Sequence, residues 1–248
     1  DSFAGKRVWV VGASTGIGAA TANLLIERGA KVAVSARSTE ALESAFAGRA
    51  TVLPLDVTDA TATSRTAQRL CEAWDGIDLV LAVAGTYKAM RAWEVDLAEA
   101  RRIVEVNLTG VLNLLSAVGP VLVQQGAGGF AIVASVAGYG GLPNSLAYGA
   151  SKAACINLAQ GLYLDLHARG IAVYLVSPGF VATPLTAKNE FKMPFLVSAE
   201  EAAGQIVAGL ERGDFEIHFP RAFSRMLKAI NLLPHGLYFW CVRRFTGM

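Results

Sequence analysis

Lys6-Arg7-Val8-Trp9-Val10-Val11 is a short apolar run that gives way at once to Gly12-Ala13-Ser14-Thr15-Gly16-Ile17-Gly18 and then to a helix-forming stretch ending near Arg28. No other segment restricts the fold as strongly. A buried strand, a glycine-rich turn and a helix start, in that order, open a crossover of a parallel sheet. The turn also has a chemical consequence. Backbone N–H groups aimed outward, with the positive end of a helix dipole behind them, suit the pyrophosphate of a dinucleotide. Gly12 would permit the sharp turn, Gly16 would let phosphates approach the backbone, and Gly18 would let the helix pack close to the strand. An ordinary glycine-rich loop between strand and helix is the alternative reading of the same residues.

The rest of the chain repeats the alternation. Strands are expected at residues 7–11, 31–35, 51–55, 79–83, 130–134, 172–176 and 215–218, with helices at 17–28, 40–47, 60–74, 99–118, 148–168 and 199–211. This pattern predicts an α/β fold: a Rossmann-type, doubly wound parallel sheet in three αβα layers, as a single domain. A content of 53% hydrophobic and 17% charged residues suits a large buried sheet. Gly12, Arg37, Asp56, Gly85, Ser135 and Pro178 all fall at or just past strand ends, so they are expected to converge on one cleft. Residues 1–219 form the expected nucleotide-binding catalytic unit and residues 220–248 an amphipathic extension.

Several function classes are excluded. A net charge of +2 with no long basic run argues against nucleic acid. Cys71, Cys155 and Cys241 are too scattered for a disulfide framework, and with His167, His218 and His235 they match no metal spacing, so no metal is expected. Unpaired cysteines, the absence of an apolar run approaching about 20 residues and a strand that begins almost immediately after Asp1 predict a cytoplasmic protein without a signal peptide.

Tyr148-Gly149-Ala150-Ser151-Lys152 carries the chemistry. On a helix, a spacing of four residues puts the phenol and the ammonium on one face, and Ser135 lies thirteen positions upstream at the end of an apolar run. A lysine charge beside a tyrosine is expected to pull the phenol down from a pKa of about 10. Such a group can protonate a carbonyl oxygen or deprotonate an alcohol.

Gly-x-x-x-Gly-x-Gly followed by Ser135, Tyr148 and Lys152 resembles the short-chain dehydrogenase/reductase family in its single-domain form, over residues 5–217. Leu55-Asp56-Val57 resembles its adenine-contacting segment, Val106-Asn107-Leu108-Thr109-Gly110 its active-site asparagine, and Pro178-Gly179-Phe180-Val181-Ala182-Thr183 its loop over the nicotinamide. The resemblance implies an oxidoreductase that interconverts a carbonyl and a secondary alcohol. Tyr148 would exchange the proton and Ser135 would hold the same oxygen, so both touch substrate. Lys152 would tune Tyr148 and bind the nicotinamide ribose, and Asn107 would hold a relaying water. It also implies cofactor contacts from Gly12, Ser14, Thr15, Gly16, Ile17, Gly18, Arg37, Asp56, Val57, Ala84, Gly85, Tyr148, Lys152, Pro178, Gly179, Val181 and Thr183.

The chain departs from the family in having Ala82-Val83-Ala84-Gly85 where Asn-Asn-Ala-Gly is usual, and Val11 where a threonine is frequent. Sheet bracing and fine cofactor positioning are affected more than the chemistry.

The second strand ends Ala36-Arg37, without the acidic residue that a ribose 2′-hydroxyl needs. This predicts NADP(H), with Arg37 and Ser14 on the 2′-phosphate. NAD(H), with Arg37 in solvent, is the alternative. Residues 183–197, with Phe191, Met193, Phe195, Leu196 and Val197 and with Tyr87 and Tyr139 nearby, read as a lid over a lipophilic carbonyl or alcohol.

In the extension, Phe223, Met226, Leu227 and Ile230 share one helical face opposite Arg225, Lys228 and Asn231. That face is a candidate for peripheral membrane contact, the alternative being packing on its own domain or on a partner subunit. The family resemblance further implies a homodimer or homotetramer. Two competing functions stay open: a nucleotide sensor on the same fold, which would not require the serine, tyrosine and lysine together, and an epimerase or dehydratase on a related scaffold.

Overall fold

A computed structural model describes residues 2–187 and 193–247. In chain order the elements are β1 (Arg7–Val11), α1 (Gly16–Glu27), β2 (Lys31–Ser35), α2 (Thr39–Phe46), β3 (Thr51–Val52), α3 (Ala60–Trp74), β4 (Leu79–Ala82), α4 (Leu97–Val104), α5 (Gly110–Gln125), β5 (Gly129–Val133), α6 (Leu146–Leu166), β6 (Ala172–Pro178), α7 (Ala199–Arg212), β7 (Glu216–Phe219), α8 (Arg221–Asn231) and α9 (His235–Thr246). The strands form one parallel sheet in the order β3-β2-β1-β4-β5-β6-β7.

Side chains alternate across the sheet and divide the core in two. Val8 and Val10 face a layer with Leu25, Val34, Leu42 and Ile206, under α1, α2 and α7. Trp9 and Val11 face the other layer with Leu70, Leu114, Val118 and Ala159, under α3, α5 and α6. Trp9 is completely buried, and its indole N–H donates to Ser35 Oγ at 2.9 Å, so the ring is not left with an unpaired polar atom.

Three sequence expectations needed correction. Only Thr51–Val52 of the expected strand 51–55 is regular, because Pro54 interrupts it at the sheet edge. Leu53 and Leu55 still donate to Val34 and Ala36 of the neighbouring chain segment at 2.9 Å each, so the backbone keeps its course. The single helix expected at 99–118 is two helices joined by a π turn, Glu105–Thr109. The second continues through Pro120 to Gln125, because fully buried Leu122 makes the extra turn favourable despite the proline.

Taken together, the helical stretch Leu97–Gln125 is long and apolar enough to cross a membrane by length and composition. No segment of that kind was expected from the sequence. Its inward residues Val111, Leu114, Val118 and Leu122 are buried against the sheet, as in a core helix.

Arg7 at the start of β1 is clamped to Asp78 just before β4. The Arg7 backbone N–H donates to Asp78 Oδ2 at 2.7 Å, its Nε donates to the same oxygen at 3.0 Å, and Nη2 donates to Oδ1 at 2.8 Å. The Arg7 hydrogen bond holds the Asp78 carboxyl below its ordinary range. Because the folded pKa is depressed, the stabilisation is full above the ordinary carboxylate pKa of about 3.9 and is lost as pH falls through the lowered folded value. Asp78→Asn is therefore expected to cost about 1–2 kcal/mol at neutral pH, the pair being about a quarter exposed. Urea denaturation of parent and variant should show the gap closing in acid; a gap independent of pH would remove this assignment.

Candidate active site

The topological switch point lies between β1 and β4, and the carboxyl ends of the strands surround a cavity of about 580 Å³. Gly12 begins the cradle. Its φ is +102°, and a Cβ there would stand 2.3 Å from the backbone nitrogen of Ala84, which reaches across from the end of β4. Gly18 lets α1 settle on the turn, since a Cβ would lie 2.1 Å from the Gly12 carbonyl oxygen. Gly16 also has positive φ, at +57°, and a Cβ there would meet the Thr183 side chain at 2.8 Å.

Thr15 is the residue before α1, with no side-chain cap and no acidic residue in the first helical turn. The first amide groups of α1 are thus left to a ligand, and Ser14, Thr15, Gly16, Ile17 and Gly18 all line the cavity.

Further along the cleft, Arg37 follows β2 and is exposed. Asp56 lies opposite, with its carboxylate oriented by the Thr58 amide at 3.0 Å and hydroxyl at 2.8 Å. The amide bond is the main cause of a lowered Asp56 pKa, and the positive charge of Arg37 adds to it. Val57, Ala84 and Gly85 line the middle of the cavity, and Pro178, Gly179, Val181 and Thr183 line its far wall after β6.

That far wall is held at both ends. The Gly179 amide donates to the Phe219 carbonyl at 2.7 Å, and Val181 pairs with Val197 across an isolated bridge. The Thr183 amide donates to Thr186 Oγ1 at 3.1 Å, which donates to the Val181 carbonyl at 2.5 Å.

Ser135, Tyr148 and Lys152 meet at the same end. Ser135 begins a short 3₁₀ turn after β5, accepting from the Ala137 amide at 3.2 Å. Tyr148 and Lys152 sit one turn apart on α6. Lys152 is 4% exposed, donates from Nζ to the Val133 carbonyl at 2.7 Å and lies 5.8 Å from the centre of the Tyr148 ring.

Asn107 does not line the cavity but lies directly beneath it, fully buried. Its Oδ1 accepts from the Thr86 amide at 2.8 Å, while Nδ2 donates to the Thr86 carbonyl and to Ser151 Oγ, each at 3.0 Å. Ser151 in turn donates to the Tyr148 carbonyl at 2.7 Å. Both hydrogens of the Asn107 side-chain amide are therefore engaged with protein. Asn107 ties the segment after β4 to the helix that carries Tyr148, at the point where the π turn breaks the regular ladder. Thr86 and Ser151 were not singled out from the sequence, although Ser151 sits inside the Tyr-x-x-x-Lys segment itself.

Electrostatics at the phenol run opposite to the sequence expectation. Burial of the Tyr148 hydroxyl pushes its pKa up to about 12, with the Ser135 hydroxyl opposing the rise. The residue as a whole is half-buried and lines the cleft. Lys152 does not pull the phenol down, because its ammonium is aimed at the Val133 carbonyl and is itself buried, which lowers its own pKa. At neutral pH the phenol is protonated.

Two substrate-side expectations also changed. Tyr87 packs edge-on against Tyr148, with ring centres 5.0 Å apart. Tyr139, by contrast, is outside the cavity, donates to Glu216 Oε1 at 2.8 Å and lies under the Lys228 ammonium. In the loop, Pro184, Leu185 and Thr186 line the cavity. Phe195 packs instead on Phe223 of α8 at 5.7 Å, Val197 belongs to the core, and Phe191 lies outside the described residues. Among the described residues no cluster of His, Cys, Asp and Glu is suited to a metal.

The arrangement fits a nicotinamide dinucleotide: bare backbone donors at one end, and an acid, a hydroxyl and a buried cation at the other. Comparison with known proteins points the same way. The short chain dehydrogenase family model matches residues 6–193. An uncharacterized oxidoreductase of Myxococcus xanthus is 37% identical over 96% of this chain and 97% of its own length. The cis-4-hydroxycyclohexanecarboxylate dehydrogenase of Sinomonas cyclohexanicum is 35% identical over 86% of each chain. Among solved structures, a short-chain dehydrogenase from Sphingobium yanoikuyae in complex with NADPH superposes with a TM-score of 0.82, at 26% identity and 94% coverage of both chains. A short-chain dehydrogenase from Streptomyces avermitilis gives 0.81, at 26% identity and 92% coverage of both. With the glycine cradle, the parallel sheet and the serine, tyrosine and lysine at one cleft, these matches establish that the chain belongs to the short-chain dehydrogenase/reductase family of oxidoreductases.

Proposed function

We propose that this protein is an NADP(H)-dependent oxidoreductase that interconverts a carbonyl and a secondary alcohol. The observation that carries this reading is the convergence of Ser135, Tyr148 and Lys152 on the cavity that the Gly12 to Gly18 turn opens. The nicotinamide, when bound, supplies or accepts the hydride. The glycine turn and the N-terminus of α1 would hold the pyrophosphate, Asp56 and Val57 would flank the adenine, and the loop from Pro178 to Thr183 would cover the nicotinamide.

Tyr148 holds a proton at neutral pH and would give it to the developing alkoxide during reduction. Ser135 would donate to the same oxygen, so both donors act where negative charge grows. Lys152, held in place by the Val133 carbonyl, would bind the nicotinamide ribose. Asn107 would hold the relaying water and, through Thr86 and Ser151, position the helix that carries Tyr148.

Arg37 supports NADP(H) over NAD(H). It is exposed at the cavity after β2, beside Ser14 and Ser38, with no carboxylate at the end of that strand to repel a phosphate. Arg37→Ala is expected to raise the KM for NADPH about tenfold, roughly one lost charge-assisted hydrogen bond, and to leave the KM for NADH nearly unchanged. Initial rates with each nucleotide measure it; a parent enzyme that prefers NADH overturns the assignment.

The substrate reading is a carbonyl or secondary alcohol with an apolar body, walled by Tyr87, Pro184 and Leu185. The Sinomonas relative's named substrate, a hydroxycyclohexanecarboxylate, bears its alcohol on an apolar ring and supports a cyclic secondary alcohol, while its carboxylate lends no support to an uncharged one. A nucleotide-consumption screen over cyclic and long-chain ketones tests the reading, and preference for small charged carbonyls would count against it. Exposed Val104, Leu112 and Val123 on α4 and α5 support a homodimer or homotetramer, and the three free cysteines support a cytoplasmic setting.

A further inference from the structure

In the apolar stripe of α8, which the sequence offered as a membrane-facing surface, Phe223 is taken up by the protein itself while Met226, Leu227 and Ile230 are half-buried. Phe223 is buried and contacts Phe180 and Phe195, at 5.9 and 5.7 Å between ring centres. The next helix is different. Of α9, only Tyr238 is buried, and its hydroxyl donates to the Gly141 carbonyl at 2.7 Å while packing against Gly140. That one residue fastens the helix to the segment that leads into α6. Leu237, Phe239, Trp240 and Phe245 remain more than half exposed.

Trp93 extends this surface from the loop after β4. It is 75% exposed and lines, with Phe239, Val242 and Arg243, a groove of about 290 Å³ floored by Gly141 to Asn144 and Leu146. An aromatic and aliphatic surface of this extent is unusual on a protein that meets only water.

Charge identifies what would cover it. Residues 221–248 contain Arg221, Arg225, Lys228, Arg243 and Arg244 and no aspartate or glutamate, although the whole chain carries a net charge of only +2. Everything before that segment is therefore net acidic, by three. Among the described residues only Lys228 of these five cations is ion-paired, with Glu216. Arg243 and Arg244 stand on α9 between the exposed rings, at Phe239, Trp240 and Phe245. The two-fold contact usual between copies of one chain would instead bring this cationic segment against its own like. An anionic bilayer offers both phosphates for the arginines and an interface in which tryptophan and phenylalanine are favoured.

We propose that α9 together with Trp93 is a docking surface for an anionic lipid bilayer, which holds this protein peripherally on the membrane. The proposal is independent of which carbonyl compound the enzyme uses.

The test is co-sedimentation of the full chain with vesicles of phosphatidylcholine alone and of phosphatidylcholine with phosphatidylglycerol, at low and high salt. Binding is expected only with the anionic vesicles and is expected to weaken as salt rises. Arg243→Gln/Arg244→Gln is expected to weaken it about 30-fold, from roughly fivefold per cation near a charged surface. Trp240→Ser/Phe245→Ser is expected to bring it close to the level with neutral vesicles. These side chains are exposed, so circular dichroism should match the parent. Absence of anionic-vesicle binding by the parent, or equal binding by either variant, overturns the proposal. So does a fall in solution mass on Trp240→Ser/Phe245→Ser, which would assign the surface to a second copy.

Discussion

Tyr148→Phe is expected to reduce turnover by about 10²–10⁴-fold, the range supplied by a positioned acid or base, while nucleotide binding stays close to that of the parent. The substitution removes one oxygen and keeps the ring, so the edge-on contact with Tyr87 at 5.0 Å survives. The proton that would pass to the substrate oxygen is lost, and Ser135 alone cannot replace it, because a serine hydroxyl is a far weaker acid than a phenol. Fluorescence titration with NADPH and single-turnover rates separate the two effects. Activity within a few-fold of the parent would mean that Tyr148 is a packing residue and that the proton comes from elsewhere. Loss of nucleotide binding together with activity would point instead to a collapsed cleft.

Gly12→Ala should be the most damaging small substitution in the chain. The backbone there has φ of +102°, which an alanine resists, and the new methyl would stand 2.3 Å from the Ala84 nitrogen and 2.6 Å from its Cα. Neither neighbour is a side chain that can rotate aside, and Ala84 N–H is already bound to the Val11 carbonyl at 2.8 Å. Strain of about 1–3 kcal/mol and overpacking of similar size add, so destabilisation of about 3 kcal/mol or more is expected, together with loss of nucleotide affinity. Denaturant midpoints measure the first and NADPH titration the second. A variant as stable as the parent would show that the β1 and β4 ends can part without cost. Where asparagines are common after β4, the backbone amides of Val83 and Ala84 both donate to the Val11 carbonyl at 2.8 Å and join the two strand ends directly.

Much of the fold could be read from local pattern. The run from Arg7 to Val11, its glycine turn and the helix behind it are dictated by nearest neighbours, so their boundaries agree with the structure to within a residue. The spacing of Tyr148 and Lys152 belongs to the same class, since a helical repeat alone puts them on one face. Features decided by distant contacts were less legible. The π turn at Asn107 exists because the amide reaches Thr86 and Ser151 from other elements, and the helix beyond it survives Pro120 because Leu122 finds the core. Tyr87 and Tyr139 looked equivalent as nearby aromatics, yet one meets Tyr148 and the other binds Glu216 on β7.

The amino-acid sequence by itself determined the strand and helix order, the anion cradle and the identity of the groups that can move a proton, because each depends on residues within a few positions of one another. Only the tertiary structure decided the state of those groups. Whether Tyr148 titrates above or below an ordinary phenol depends on which atoms enclose its hydroxyl and on where the Lys152 ammonium is aimed, and both are set by chain segments far away in sequence. Solvation and charge act through space, so packing between β4, β5 and α6, not spacing along α6, sets the direction of that shift.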